Sequence, residues 1–378
     1  MIYLDNSATT RIDESVVEAM LPWLRDNYGN ASSIYQLGRQ ARVAIEYARE
    51  EIAALIGAHP AELIFTSGGT ESNNTVLKSC SQESNLCNEV LYSAIEHHAI
   101  LHPVAELSHQ HLKTTALSVK SDGILNIEQF ETLTMTNRTL VSVMHANNET
   151  GAIQPIEKLR ALASDSLIHT DAVQSFGKIP VNMHALGVDF ASFSAHKIHG
   201  PKGIGALFIR KGIDFKSHQQ GGGQERNRRA GTESPALIVG FQVAARQAVN
   251  EMAKRTEIMK SAINLLRELL ITAIDTIRVN TPLEQSLPNI LNVSFPDAES
   301  LDGESILQSL DIQGVAASNG SACVSGSLQP SHVLSAMGCS IAEAKAAVRF
   351  SVSKDTTERE IRQAASSLFE IISALRNH

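Results

Sequence analysis

The chain has 378 residues, of which 43% are hydrophobic, 19% are charged and 4% are aromatic, and its formal net charge is −8. A chain of this length can bury a large core without disulfide or metal staples, and it contains no apolar run of the roughly 18 residues that a membrane span needs. The acidic balance and the scarcity of aromatic residues argue against direct binding of nucleic acid.

Short apolar runs alternate with helical patterns through the first two thirds of the chain. An amphipathic helix is predicted from about Ile34 to Ile56, with Ile34 on its apolar face and a stop at Gly57, and another helix begins at Pro155. Runs that are mostly apolar on both faces, as in a covered and mostly parallel sheet, predict six strands. These strands are Leu63–Phe65, Glu89–Tyr92, Thr139–Val143, Ser166–His169, Val188–Phe193 and Gly205–Ile209. The alternation predicts an α/β fold with ligands beyond the strand carboxyl ends.

The last third of the chain changes character. One long helix is predicted from about Pro235 to Ile274, followed by an alternating strand over Ile290–Phe295. A closing helix begins at Thr357, where Thr357 and Glu360 form a capping box. We therefore predict a large domain of residues 12–255, and a smaller α+β domain of residues 1–11 together with residues 256–378.

A glycine pair follows the first predicted strand and precedes a helix. In the run Thr66-Ser67-Gly68-Gly69-Thr70, glycines would let the backbone approach an anion, and the first helical N–H groups would point at it. This is the outline of a phosphate site, although it is not a Walker motif, because no Gly-Lys-Ser/Thr follows. An ordinary turn with Thr70 as a helix cap is the alternative.

Asp171 and Lys197 each end an apolar strand, and they are 26 residues apart in the sequence. Asp171 could hold a protonated pyridine nitrogen or simply cap the next helix. Lys197 could form a Schiff base in a desolvated position, although an isolated lysine is usually a solvated surface group. Together with the upstream phosphate-type turn, the two residues match what pyridoxal 5′-phosphate (PLP) requires of a protein.

Two further segments follow strands. His97 could stack on a planar cofactor or transfer protons, or it could only begin a helix. Asn148 could donate hydrogen bonds to a ligand or belong to a turn. No metal site is predicted, because His97 and His98 are adjacent and no H-E-x-x-H pattern occurs.

The four cysteines, Cys80, Cys87, Cys323 and Cys339, are too dispersed for a disulfide framework. The first residues lack the basic and apolar regions of a signal peptide, so we expect none, and the dispersed cysteines favour a reducing cytoplasm. Cys323 lies in a run of small residues, Gly314–Gly326, which predicts an exposed mobile loop and an accessible thiol. We expect Cys80 to be structural, and Cys87 and Cys339 to be incidental, with Cys87 in a polar connection that favours exposure.

These segments, in this order, resemble the cysteine desulfurases of the NifS/IscS type, within the class V aminotransferase group of PLP enzymes. The resemblance runs from Tyr3 to Ser351. Its most specific motifs are Thr66–Asn74, Ser194–Lys197, Gly222–Arg226, Arg229–Thr232 and Ser321–Cys323. It implies fold type I, a homodimer, and conversion of L-cysteine to L-alanine with formation of a persulfide.

The resemblance also implies roles for individual residues. Lys197 would bind PLP covalently, Cys323 would accept the sulfur, and His97 would stack on the cofactor ring and assist acid–base steps. Asn148 and Arg349 would bind the substrate carboxylate. The other implied cofactor contacts are Gly69, Thr70, Ser194 and His196 to the phosphate, Thr232 to the phosphate of the partner subunit's cofactor, Asp171 to the pyridine nitrogen and Gln174 to the ring oxygen.

Several alternatives stay open. A selenocysteine lyase or an aminotransferase would share the cofactor machinery, and a cofactor-free scaffold for sulfur transfer is a third possibility. The sulfur acceptor is expected to be a protein, serving iron–sulfur assembly, tRNA thiolation or DNA phosphorothioation. Ser7, Asn227 and Ser353 depart from the residues common in the family, and none of the three is a group that carries the chemistry.

Overall fold

The computed structural model describes residues 1–80, 86–110, 112–297, 301–320 and 329–376. Its strands are β1 (Ile2–Tyr3), β2 (Leu63–Thr66), β3 (Glu89–Ser93), β4 (Lys113–Leu117), β5 (Thr139–Ser142), β6 (Leu167–Asp171), β7 (Phe190–Ser194), β8 (Gly205–Ile209), β9 (Arg278–Val279), β10 (Ile290–Ser294), β11 (Val315–Ala316) and β12 (Val348–Ser351). Its helices are α1 (Glu14–Arg25), α2 (Gln36–Leu55), α3 (Gly69–Lys78), α4 (His98–His109), α5 (Ile127–Glu131), α6 (Ile156–Leu162), α7 (Met183–Leu186), α8 (Gln224–Asn227), α9 (Pro235–Asn250), α10 (Met252–Ala273), α11 (Gly303–Ile312), α12 (His332–Ala336), α13 (Ile341–Ala346) and α14 (Glu358–Arg376).

A seven-stranded sheet in the order β2-β8-β7-β6-β5-β3-β4 forms the centre of the molecule. Its five strands from β4 to β7 pair in parallel, whereas β8 is antiparallel to both of its neighbours. Strands β5, β7 and β8 are buried along their whole length, as expected of a sheet covered on both faces by helices. The predicted α/β fold and all six predicted strands are confirmed.

The second part of the chain contains a small antiparallel sheet in the order β12-β10-β9, and β1 pairs with β11. The first residues contribute to the same core as the last third of the chain, because Ile2 and Leu4 pack with apolar side chains of α10, α11 and α14. A separate apolar cluster joins the helices to the large sheet. We propose the division into residues 12–255 and residues 1–11 with 256–378 on the basis of these two clusters.

Four local predictions are wrong. The predicted long helix is two helices, since Glu251 between them has φ −98° and ψ 7°. Ile34 is 89% exposed and precedes α2. Strand β10 is buried at all five positions rather than alternating. Within the predicted loop of small residues, Val315 is a buried strand residue that packs in the core.

The cysteines also differ from expectation. Cys80 and Cys87 form a disulfide, and Cys87 is only 2% exposed, because both side chains pack in an apolar cluster beside the sheet. Cys339 is buried as a free thiol. Cys323 lies outside the described residues. Among the helices of the described residues, none combines the length and the apolar character needed to cross a membrane.

Candidate active site

A cavity of about 410 Å³ lies at the carboxyl ends of the parallel strands. It brings together residues from both parts of the chain. The predicted site residues that line it are Gly69, Thr70, His97, Asn148, Asp171, Gln174, Ser194, His196, Lys197 and Arg349. This is the edge of the sheet at which an open α/β fold places its ligands.

The phosphate-type turn connects β2 to α3. Gly68, with φ 152°, is the N-cap of α3, and no side chain caps this helix end. The first-turn N–H groups therefore remain available to an anion. A cavity beside this turn is also lined by Ser194, His196 and Lys202. A turn with Thr70 as the helix cap, the alternative considered from sequence, is not what forms.

Asp171 ends β6 and is oriented by two hydrogen bonds. Its Oδ2 accepts from Nδ2 of Asn73 at 2.6 Å, and its Oδ1 accepts from the backbone N–H of Val173 at 2.9 Å. Asn73 lies in the helix that begins at the phosphate-type turn, so one helix serves both parts of the site. No local sequence pattern predicts this orienting role for Asn73.

Lys197 follows β7, with its side chain in the cavity. Its Nζ donates to the backbone oxygens of Ser7 and Ala8, the latter at 2.6 Å. Burial, together with the positive charge of Arg349, lowers the pKa of Lys197 to about 8, against the opposing charges of Asp5 and Asp171. An amine with such a pKa is partly unprotonated near neutral pH, as a Schiff-base lysine needs to be.

His97 caps α4, where its Nδ1 accepts from the backbone N–H of Ala99 at 3.0 Å. In the neutral ring this leaves the proton on Nε2. Desolvation is the main cause that lowers the pKa of His97, although the charge of Asp171 opposes it. His97 thus begins a helix and also lines the cavity, and its stacking on a cofactor or its part in proton transfer stays a prediction.

Arg349 of β12 is held in place by three groups. Its guanidinium donates to the backbone oxygen of Asn148 at 2.9 Å, to Oδ1 of Asp5 at 2.6 Å and to Oγ of Ser318 at 2.8 Å. Its Nε is buried and has no partner among the described residues. This cation can meet a substrate carboxylate in the cavity. The contributions of Asp5 and Ser318 were not predicted.

Thr232 lines a different cavity from the one that contains Lys197, together with Glu225 and Arg229. Its segment is anchored by Glu225, which accepts from Arg49 at 2.6 Å and from the backbone N–H of Phe65 at 2.9 Å. Asn227, which departs from the family pattern, has φ 63°, a conformation that asparagine tolerates better than most residues.

The residues present fit PLP on structural grounds. The uncapped end of α3 is suited to a phosphate, and the oriented carboxylate of Asp171 is suited to a protonated pyridine nitrogen. The side-chain oxygens Asn73 Oδ1 and Gln174 Oε1 are buried without a hydrogen-bond partner among the described residues. Such groups at a cavity wall indicate a polar ligand.

Comparisons with known proteins agree with this geometry. The profile of the family Aminotransferase class-V matches residues 2–363. The chain is 44% identical to the cysteine desulfurase IscS of Dictyoglomus turgidum, over 99% of this chain and 95% of the relative.

Two solved structures are similar. A NifS-like protein has a TM-score of 0.91 and 38% identity over 99% of both chains. A structure described as SspA in complex with cysteine has a TM-score of 0.80 and 33% identity, over 94% of this chain and 100% of the other. The chain therefore belongs to the aminotransferase class-V family, whose members depend on PLP, and within it to the cysteine desulfurases.

Proposed function

We propose that the protein converts L-cysteine to L-alanine and passes the sulfur, through a persulfide on Cys323, to an acceptor protein. One observation carries the cofactor part of this proposal. The oriented carboxylate of Asp171, the amine of Lys197 and the uncapped end of α3 converge on one cavity. Transfer through Cys323 rests on the sequence, since this residue lies outside the described part of the chain.

When bound, PLP supplies an electron sink for the charge that develops at the substrate Cα. Lys197 holds the cofactor and moves the Cα proton, which its lowered pKa of about 8 favours. Asp171 keeps the ring nitrogen protonated through a fixed carboxylate. Arg349 and Asn148 orient the substrate carboxylate, and neutral His97 lines the same cavity, where Nε2–H is the ring group left for acid–base steps because Nδ1 accepts from Ala99.

The sulfur transfer needs only the substrate and the thiolate of Cys323, with no external oxidant or reductant. The thiolate of Cys323 attacks the substrate sulfur and forms the S–S bond, while the substrate C–S bond breaks and leaves its electron pair on the carbon skeleton. Protonation of that carbon gives L-alanine. The net reaction converts L-cysteine and one protein thiol into L-alanine and one protein persulfide. The persulfide is a reversible state of cysteine, and its outer sulfur can be transferred to another thiol.

We also propose that the protein is a homodimer that passes sulfur to its acceptor protein by direct contact. We place it in the cytoplasm, where a disulfide such as Cys80–Cys87 is uncommon, so the cysteines do not support this part of the proposal. Exposed apolar side chains are concentrated over residues 24–47, among them Tyr28 at 78% and Val43 at 69% exposure. Such residues are typical of a surface that a protein partner covers. Thr232 does not line the cavity that contains Lys197, and its own cavity adjoins the phosphate-type turn through Ser67 and Gly203. Its contact with the phosphate of the partner subunit's cofactor is proposed from the family resemblance.

Replacement of Cys323 tests the proposal. Cys323→Ser should retain PLP and bind L-cysteine, because no step before sulfur transfer uses the thiol. Production of L-alanine should fall by about three orders of magnitude or more, the scale of losing an activated nucleophile. Cys339→Ser is the matched control and should remain active, since Cys339 is buried.

Mass spectrometry after addition of L-cysteine locates the sulfur. The wild-type peptide that contains Cys323 should gain about 32 Da, which dithiothreitol removes. Undiminished release of L-alanine by Cys323→Ser would overturn the assignment of the acceptor thiol.

A further inference from the structure

A buried carboxyl group in the cavity wall has no role in the reaction described above. Glu149 is 2% exposed and lines the cavity, next in sequence to Asn148. Its backbone N–H donates to Oδ1 of Asn147 at 2.9 Å, which fixes the turn after β5. Burial of a carboxyl group needs compensating contacts, so the contacts of this side chain indicate what it does.

The first contact is with Ser331. The hydroxyl of Ser331 donates to Oε2 of Glu149 at 2.5 Å, and Ser331 is fully buried. The same hydroxyl accepts from the backbone N–H of Leu334 at 3.1 Å, which caps α12. The Glu149 side chain therefore fixes the start of α12.

The second contact is with Gly320. This residue has φ 93°, and a Cβ at its position would lie 2.9 Å from Cγ of Glu149 and 3.2 Å from Cδ. A side chain would be strained in this backbone conformation and would also collide with the carboxyl group. The Gly320 backbone therefore packs directly on Glu149, and glycine is required for that approach.

Gly320 and Ser331 lie on the two sides of Cys323 in the sequence, at separations of three and eight residues. We propose that Glu149 is a positioning residue for Cys323, because one buried side chain holds the chain on both sides of that cysteine against the wall of the active-site cavity. The proposal rests on the function of Cys323 proposed above. It assigns Glu149 no contact with substrate or cofactor.

Electrostatics are consistent with this arrangement. Burial raises the pKa of Glu149 to about 7, whereas the Ser331 hydrogen bond and the charge of Arg349 act in the opposite direction. The carboxylate form strengthens the bond that Ser331 donates. A glutamine could accept the same bond without a charge, which provides a conservative variant.

The test compares Glu149→Ala, Glu149→Gln and Ser331→Ala in the full-length protein. Ser335→Ala is the matched control, because its hydroxyl donates to the backbone oxygen of Ser331 in the same helix and not to Glu149. The first measurement is the rate at which iodoacetamide alkylates Cys323 in protein without PLP, followed by mass spectrometry of the peptide. The second is persulfide formation on Cys323 in the holoenzyme.

Loss of the anchor should change the two rates in opposite directions. In Glu149→Ala and Ser331→Ala, alkylation should rise and persulfide formation should fall by about tenfold, the scale of one hydrogen bond to a charged group. Glu149→Gln should recover most of both rates, and Ser335→Ala should match the wild type. The double variant Glu149→Ala/Ser331→Ala should be no worse than Glu149→Ala alone, because the Ser331 hydroxyl acts through Glu149.

The outcomes separate this proposal from the function on which it rests. Wild-type protein with no persulfide on Cys323 would refute the role of that cysteine. Persulfide on wild-type Cys323, with both rates unchanged in Glu149→Ala and Ser331→Ala, would refute the positioning role alone. If Glu149→Ala does not fold, Ser331→Ala and Glu149→Gln still test the proposal. Equal rates of alkylation and of persulfide formation in Ser331→Ala and the wild type would contradict it.

Discussion

At the scale of single residues, the partly buried Lys197 and the buried Lys178 both lie close to the reaction centre. Burial is the main cause that lowers the pKa of Lys197 to about 8, and burial together with the charge of Lys197 lowers the pKa of Lys178 to about 7. Both amines can therefore lose a proton near neutral pH. Only Lys197 lines the main cavity, while Nζ of Lys178 donates to the backbone oxygen of Gln174 at 2.9 Å.

This difference predicts which lysine holds the cofactor. After reduction with borohydride, wild-type protein and Lys178→Met should carry PLP covalently on the peptide that contains Lys197. Lys197→Ala should carry none, although it can still bind PLP through the phosphate-type turn. Peptide mass spectrometry makes the distinction. Covalent label on Lys178 in the wild-type protein would show that the lower pKa, rather than the position, selects the amine.

The site residues that could be predicted are those whose position follows from the end of a strand. Asp171 and Lys197 each end or follow a strand of the large sheet, so their convergence followed from the fold class. Residues that orient them could not be predicted in this way. Asp5 meets Arg349 across 344 residues, and Asn73 meets Asp171 across 98. Nothing local in the sequence encodes such contacts.

At the scale of elements, one histidine joins three strands of the large sheet. His169 of β6 is fully buried, with Nδ1 2.9 Å from Oγ of Ser142 in β5 and Nε2 3.1 Å from Oγ of Ser192 in β7. Desolvation lowers the pKa of His169 to about 3. The folded sheet therefore holds a neutral imidazole two residues before Asp171.

The lowered pKa makes the sheet sensitive to acid. The unfolded chain binds a proton at His169 below about pH 6.5, whereas the folded chain does so only near pH 3, so stability is lost as the pH falls through this range. One such group lowers the free energy of unfolding by about 2 kcal/mol as the pH falls from 6.5 to 5. His169→Gln should therefore lose less stability than the wild type between pH 7.5 and 5, as measured by urea unfolding.

His109→Gln is the control, because His109 is exposed at the end of α4. It should lose as much stability as the wild type over the same pH range. An identical loss in His169→Gln and the wild type would show that other groups control unfolding in acid.

Elements were predictable where burial and periodicity agreed. All six apolar runs form strands, since each is covered on both faces. Strand β4 was missed because it lies at the sheet edge and four of its five residues are at least partly exposed. The break between α9 and α10 was missed because no glycine or proline marks Glu251. Packing of α10 against β10 and α14 decides the position of that break.

At the scale of the whole molecule, the proposed phosphate contacts come from two cavities of one chain. Gly69, Ser194 and His196 line the cavity at the phosphate-type turn, and Thr232 lines an adjoining cavity that shares Ser67 and Gly203 with it. In a closed two-fold dimer, the segment of each chain that contains Thr232 would lie beside the phosphate-type turn of the other chain. Exposed apolar residues such as Tyr28 and Val43 would supply an interface.

Mixed dimers test this arrangement. Lys197→Ala would lack the proposed cofactor-binding amine, and Thr232→Ala would lack the proposed phosphate contact, so each homodimer should be impaired. A mixed dimer with one subunit of each kind, purified through two different affinity tags, would contain one site with both residues intact if Thr232 crosses the interface. Its activity should then reach about half that of the wild-type dimer, because one of its two sites is complete. If Thr232 serves its own chain, the site that retains Lys197 lacks Thr232, and the mixed dimer should reach only half the activity of the Thr232→Ala homodimer. Sedimentation of the wild type as a fully active monomer at micromolar concentration would likewise contradict the composite site.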